Sequence, residues 1–226
     1  MTIALPRFAA SGLHRRSALR WLGTALLAAA AAPALGQGPA KAEVSQQAVD
    51  GAAAFIKQIA DYAIQILQTS NGSLEQREAQ FRNLLAQGFD IDFISRFVLG
   101  RYWRRASADE KSEYQALFRE YILKTYSRRL GGYSGETFEI RGARAAGRQD
   151  VMVSTIIHQP NGPPIAADWR VRVGSDAYRI IDIMVEGVSM AIAQRDEFSN
   201  VVRTQGMQGL LQALRARTQM FSVANK

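Results

Sequence analysis

The sequence predicts an α+β domain, with helices packed on one face of an antiparallel sheet of about four strands. Three observations predict it. Helix-period segments come first, strand-period segments follow, and helix-period segments close the chain. The strand-period segments are joined by short turn signals, as in a meander. The stretch Tyr178 to Val202 also changes period. Arg179, Ile181, Ile183 and Val185 alternate with Tyr178, Ile180, Asp182, Met184 and Glu186. After Gly187 the apolar residues fall at Met190, Ile192, Ala193, Phe198, Val201 and Val202, which suits a helix face.

Glu43 to Gln68 reads as a long helix, with Val49, Ala53, Ile56, Ile59, Ala60, Ala63, Ile66 and Leu67 at spacings of three and four. Asn71-Gly72 ends it. Ser73 to Gln76 has the form of a capping box. The helix it opens carries Phe81, Leu84 and Leu85 and stops at Gly88. A short helix, FISRFVLG, follows with Asp92 as its N-cap, and then RYWRR, Arg101 to Arg105. Ser107 to Glu110 is a second capping box. It opens a helix to about Leu130 with Tyr114, Leu117, Phe118, Tyr121, Ile122 and Tyr126 on one broad face.

Gly131-Gly132 and Gly135 end the helical half. Strands are predicted over 137–144, 151–159 and 165–173. In the last of these, Ala167, Trp169, Val171 and Val173 face one way and Asp168, Arg170 and Arg172 the other. Pro160-Asn161-Gly162-Pro163 is a turn, and Gly174-Ser175-Asp176 turns into the strand at Tyr178. Ser189 is an N-cap for the helix beyond it. After Asn200 a last helix carries Leu210, Leu211 and Leu214 to Arg217, leaving a loose tail to Lys226.

The 226 residues suit one domain after a leader is removed, with 47% hydrophobic residues to build its core. HRRSALRW is a basic n-region, Leu22 to Ala32 is an apolar h-region, and small residues to Gly36 offer a cleavage point. Residues 1–36 therefore read as an export signal. Arg15-Arg16 followed by Ser17-Ala18-Leu19 resembles a twin-arginine signal, and paired arginines also occur in ordinary secretory n-regions. Residues 37–42 form a linker and 43–219 a single domain. The net charge of +8 includes Arg7, Arg15, Arg16 and Arg20; without them 24 basic residues face 20 acidic ones. The apparent nucleic-acid character is thus partly a property of the leader. There is no cysteine, which excludes disulfides and thiol chemistry.

Catalytic chemistry is thinly supplied. His158 is the one histidine beyond the leader, so a His/Cys metal site lacks its partners. Asp182 and Glu186 lie four apart on a mostly apolar strand, where they either point at a common site or pair with arginines such as Arg170 or Arg195. Arg101, Arg104 and Arg105 with Tyr102 and Trp103 mix basic and aromatic character, suited to lipid headgroups or an acidic partner, or to a solvated loop over a buried Trp103. By periodicity alone the apolar surplus of helices and strands is an ordinary core; a cavity would use the same residue types.

Two motifs carry a resemblance. FDIDFISRFVLGRYWRRASADEKSEYQALFREYILKTYSRRL (Phe89 to Leu130) ends a helix in the pair Thr125-Tyr126, and YRIIDIMVEGVSMAIAQRDEF (Tyr178 to Phe198) contains D-x-x-V-E-G-V-S followed by R-x-x-F. In this order they resemble the MlaC family, also called the Ttg2 toluene-tolerance auxiliary family, over about Val49 to Leu214. The resemblance implies a curved antiparallel sheet wrapped by helices around an apolar pocket for acyl chains. It implies a periplasmic phospholipid carrier working between an outer-membrane lipoprotein complex and the MCE-domain subunit of an inner-membrane ABC transporter. No cofactor, no reaction and no nucleic acid are implied; phospholipid is the cargo. A related subgroup is linked to hopanoid loci.

On that reading the pocket wall is Leu99, Trp103, Phe118, Ile122, Tyr126, Val153, Ile157, Trp169, Val171, Ile183 and Val185. Arg101, Arg104 and Arg105 are the candidates for headgroup or partner contact. Two alternatives stay open: an exported protein-binding module with a filled core, and an enzyme using Asp182, Glu186 or His158 converging in a cleft.

Overall fold

The computed structural model describes residues 44–68, 73–127, 135–175 and 177–223. The expected leader, the linker and the turn residues Asn71-Gly72, Gly131-Gly132 and Asp176 lie outside them.

Helices α1 (Gln46–Gln68), α2 (Leu74–Gly88), α3 (Ile91–Leu99), α4 (Arg101–Arg105) and α5 (Ala108–Ser127) come first. Strands β1 (Thr137–Ala145), β2 (Asp150–His158), β3 (Ile165–Val173), β4 (Tyr178–Val185) and β5 (Val188–Ser189) follow, and α6 (Met190–Val223) ends the described chain. The five strands form one antiparallel sheet in sequence order. This is the predicted α+β class with one short strand more than expected.

The helix starts follow the side-chain chemistry of their caps. Ser73 accepts from the Gln76 amide while the Gln76 side chain accepts from the Ser73 amide. Ser107 and Glu110 make the same reciprocal pair. Each box satisfies two amides that a helix start leaves without partners. The N-cap of α3 is Asp90, which accepts from the Phe93 amide at 2.9 Å, and not Asp92. Asp92 lies inside the first turn and pairs with Arg119 instead. RYWRR, for which a solvated loop is one sequence reading, is a helical turn closed by the Ala106 amide on the Tyr102 carbonyl.

The C-terminal helix departs from the sequence expectation in two ways. Ser189 caps it as predicted, accepting from the Ile192 amide. Its break falls at Gly206 (φ 73°, ψ 179°), not at Asn200. Only glycine adopts that backbone region readily. The helix also runs on to Val223, past the Arg217 end expected for it.

Register decides which strand residues share a face. Val153, Trp169 and Ile183 stand in one rung, and Thr155, Ala167 and Val185 in the next. At the other end the rung is Val151, Val171 and Ile180. Ile180 and Ile183 can share a face only because β4 bulges: the pairing shifts between Arg170–Asp182 and Val171–Ile180. Strict alternation would have grouped Ile181 with Ile183 and Val185. The extra residue sends Ile181 out of that set, where it is nevertheless buried.

Helix α1 packs across β1, β2 and β3, and α2 packs against α1, α5 and β4. α3 and α6 also pack against β4. Asp150, Arg170 and Arg172 belong to the opposite face, where Asp150 is 4% exposed and both guanidiniums reach its carboxylate. Arg172 also lies over the Phe93 ring, 4.2 Å from its centroid.

Candidate functional site

The apolar side chains gather in two clusters. One is helical: Leu99, Tyr114, Phe118, Tyr121, Phe198, Leu210, Leu211 and Leu214 are buried together. Phe198 meets the rings of Tyr114, Phe118 and Tyr121 at 6.1–6.4 Å, within the range of favourable edge and tilted contacts. Tyr114 donates to the Ser95 carbonyl at 3.0 Å, and its burial holds the phenol pKa well above the ordinary tyrosine value. The second cluster joins α1 to the sheet: Val49, Ala52 and Ile56 against Val151, Val153, Val171 and Ile180. Phe89, between α2 and α3, packs against both.

The sheet's apolar face continues past the rung of Val153 and Trp169. Thr155 and Ala167 are buried, and Val185, Ile157 and Ile165 are half-buried along the next rungs. The face is also made chemically apolar. Trp169 Nε1 donates to Thr155 Oγ1, which donates on to the Ala167 carbonyl at 2.8 Å. Both polar groups are thereby spent inside the sheet, leaving the indole surface against Phe138.

The predicted wall residues divide between these layers. Leu99 and Phe118 are fully buried in the helical cluster, with Trp103 and Ile122 half-buried against it. Val153 and Val171 are fully buried in the sheet cluster, with Trp169 and Ile183 against it. Ile157 and Val185 share that sheet face by register. Tyr126, near the end of α5, is 37% exposed. Arg101, Arg104 and Arg105 are exposed on α4. Arg101 bonds and stacks on Tyr102, and Lys111 covers the Trp103 ring.

The groups considered for catalysis do not converge. Asp182 accepts from Ser189 and from the Ala191 amide, fixing the start of α6. Glu186 accepts from the Ala166 amide at 2.7 Å. Glu186 and Gly187 form the β4–β5 turn, with φ of 49° and 78°, the positive pair that a two-residue hairpin loop requires. Neither acid makes the Arg170 or Arg195 pair considered from sequence. His158 is exposed and bonds Glu139 at 2.9 Å. His158, and secondarily Arg141, lowers the Glu139 pKa below the usual carboxylate value. Among the described residues no group of His, Cys, Asp or Glu is placed to hold a metal ion.

Sequence reasoning missed the polar residues on the inner side of α2. Arg77 and Arg82 are half-buried and Glu78 is 8% exposed, beside the half-buried Phe81 and Leu85. The signal was available: Glu78 and Arg82 share a helix face with Phe81 and Leu85, by steps of three and four.

These layers define an α+β binding domain, an apolar sheet face roofed by helices, with its strand-end carboxylates committed to caps and turns. The family model for MlaC protein matches residues 57–216, most of the described chain, and the protein belongs to the MlaC family. A relative in Haemophilus influenzae, the intermembrane phospholipid transport system binding protein MlaC, is 23% identical over 165 residues, covering 70% of this chain and 77% of that protein. The fold is also that of a phospholipid-binding protein from Ralstonia solanacearum solved in complex with a phospholipid. The TM-score is 0.67 at 23% identity, over 76% of this chain and 98% of that one.

Proposed function

We propose that this protein is a phospholipid carrier of the periplasm. It takes acyl chains against the apolar sheet face and passes lipid between an outer-membrane lipoprotein complex and the MCE-domain subunit of an inner-membrane ABC transporter. It does so without a cofactor and without covalent chemistry. Membership of the MlaC family supports the class. The observation that carries the site is the sheet face itself. Its apolar rungs extend beyond the part packed by Val49, Ala52 and Ile56, through Thr155, Ala167 and Val185 to Ile157 and Ile165.

The energetics explain that surface. Each buried acyl methylene is worth about 0.8 kcal/mol, so a diacyl lipid drawn into water loses on the order of 20 kcal/mol. A carrier returns most of that through dry apolar walls, and not much more, or the lipid never leaves. On this reading Val153, Ile157, Trp169, Ile183 and Val185 form the sheet wall, Trp103, Ile122 and Tyr126 the helix wall, and Leu99, Phe118 and Val171 back them. Apolar walls discriminate chain length weakly, so chain selection is loose. The exposed Arg101, Arg104 and Arg105 are candidates for headgroup or partner contact.

Native mass spectrometry of the purified protein, with solvent extraction of what it releases, tests the reading. A diacyl phospholipid near one per chain is expected. Trp169→Glu and Ile122→Asp are expected to abolish it. A clean mass that vesicles do not change refutes the carrier and leaves a filled-core binding module. A hopanoid keeps the carrier and changes its cargo.

A further inference from the structure

Strand β1 is an edge of the sheet, paired with β2 on one side and with no strand on the other among the described residues. Its second half pairs as Gly142–Ser154, Ala143–Val153, Arg144–Met152 and Ala145–Val151. The next amide along, that of Ala146, donates to the Asp150 carbonyl at 2.8 Å. Opposite residues in an antiparallel ladder alternate between bonded and non-bonded pairs. Gly142 and Arg144 therefore bond to β2, while Ala143 and Ala145 turn their amides and carbonyls to the open side.

That side is sterically clear. Gly142, Ala143, Ala145 and Ala146 carry nothing larger than a methyl group, and a Cβ on Gly142 would meet nothing within 4 Å. The bulge between Ile140 and Gly142 ends the regular run. Bulges limit how much of an edge can be paired, so the open stretch is short.

The charge beside it has one sign. Arg144 stands on the same sheet face as Arg170, with Met152 between them. Arg148 lies in the turn to β2. Both Arg144 and Arg148 are exposed and form no ion pair among the described residues. The neighbouring acids are already engaged: Glu139 by Arg141 and His158, and Asp150 by Arg170 and Arg172. Asp168 stands two strands away on β3. A second copy of this edge would bring its own arginines against these, and like charges directly opposite destabilise. The chain's first 42 residues contain no acid, so that segment does not match either. The two faces also ask for different side chains. Ala143 and Ala145 share the face of the fully buried Val151 and Val153, whereas Arg144 lies on the other.

We infer that the Gly142 to Ala145 edge docks an extended segment of a partner protein, added to the sheet as a further strand, in which acidic residues alternate with apolar ones. Main-chain bonds to Ala143 and Ala145 hold the segment, and acids beside Arg144 and Arg148 select it. The arginines that guard the edge against its own kind thereby admit a strand of opposite charge. The inference needs only the edge and its charge, and stands apart from the lipid reading.

Fluorescence anisotropy of a labelled, end-blocked heptapeptide of alternating Glu and Val, titrated with the purified chain at low salt, tests it. Saturable binding is expected. Amide hydrogen exchange by NMR supplies a second readout: Ala143 and Ala145 are expected to exchange more slowly in the complex, while Arg144 is protected with and without peptide. Arg144→Glu is expected to weaken binding ~10-fold or more, the worth of a hydrogen bond to a charged group. Arg203→Glu makes the same charge change on α6, which packs on α3, α5, β4 and β5, and is expected to leave binding unchanged. Ala145→Pro removes an outward amide and spares the ladder, and is expected to weaken binding by a similar factor. Arg144→Glu keeps the test decisive if Ala145→Pro fails to fold. Equal binding of a Lys and Val peptide overturns the acidic partner. Equal binding of a Glu peptide with proline in place of Val overturns the added strand. No binding of the Glu and Val peptide at millimolar chain overturns both. Binding to phosphatidylglycerol vesicles that Arg144→Glu abolishes, without peptide binding, assigns the arginines to a membrane surface and also overturns the docking site.

Discussion

Asp150→Ala separates stability from lipid binding. The Asp150 side chain is 6% exposed at the start of β2 and accepts from Arg170 at 2.7–2.9 Å and from Arg172 at 2.9 Å. Hydrogen bonds to charged groups contribute roughly 1.5–3 kcal/mol each, and breaking a buried pair costs about 3–5 kcal/mol. Here the loss is smaller. The Arg170 and Arg172 side chains are 46% and 30% exposed, so water recovers much of the stranded charge. The expected cost is about 2 kcal/mol, or roughly 4–8 °C in Tm for a domain of this size. Urea and thermal unfolding followed by circular dichroism measure it. Lipid loading is expected to stay at the wild-type level, because Asp150 lies on the opposite face from Val151, Val153 and Trp169. A variant within about 0.5 kcal/mol of wild type refutes the clamp. A folded variant that loses its lipid refutes the division of the sheet into two faces.

Gly206→Ala is expected to destabilise by about 1–3 kcal/mol through the backbone alone, since a Cβ there meets nothing within 4 Å; urea midpoints check it. Ser107→Ala removes one half of a reciprocal cap and is expected to cost about 1 kcal/mol in the same assay. The bond from the Ser107 amide also lowers the Glu110 pKa, so Glu110 stabilises above its unfolded pKa of about 4.3 and loses that contribution as pH falls through the lower folded value. Ser107→Pro, which lacks that amide, is expected to move the Glu110 midpoint upward in a carboxylate NMR titration. Glu139 has the same sign, with His158 as its leading cause. His158→Ala is expected to raise the Glu139 midpoint, and an unmoved midpoint refutes the contact.

Much of the fold was legible because its signals are local. The two capping boxes, the Ser189 cap and the alternation of Ala167, Trp169, Val171 and Val173 each need only a few neighbouring residues. Asp90 was missed as a cap because Asp90 and Asp92 have the same chemistry. Only the entry of the chain from Phe89, bridged to Ile180, decides which one stands at the helix start. The break near the C-terminus was misplaced for a related reason: Gly206 sits in a polar run whose period is helical on both sides. The candidate wall was legible as a set of apolar residues, but not as two layers. Leu99 and Phe118 have the same hydrophobic signature as Ile157 and Val185, and only packing separates a filled helical core from an extended sheet face.

The sequence by itself determined the element types, their order and the antiparallel meander, because period, cap and turn chemistry act within a few residues. Tertiary structure alone decided the register of β4. A bulge adds a residue to one strand only in relation to its partner, so Ile180 and Ile183 share a face that strict alternation denies them. It alone decided, too, that Glu78 and its neighbouring arginines turn inward. Burial of a charge depends on what packs over it, and α1, α5 and β4 come from distant parts of the chain.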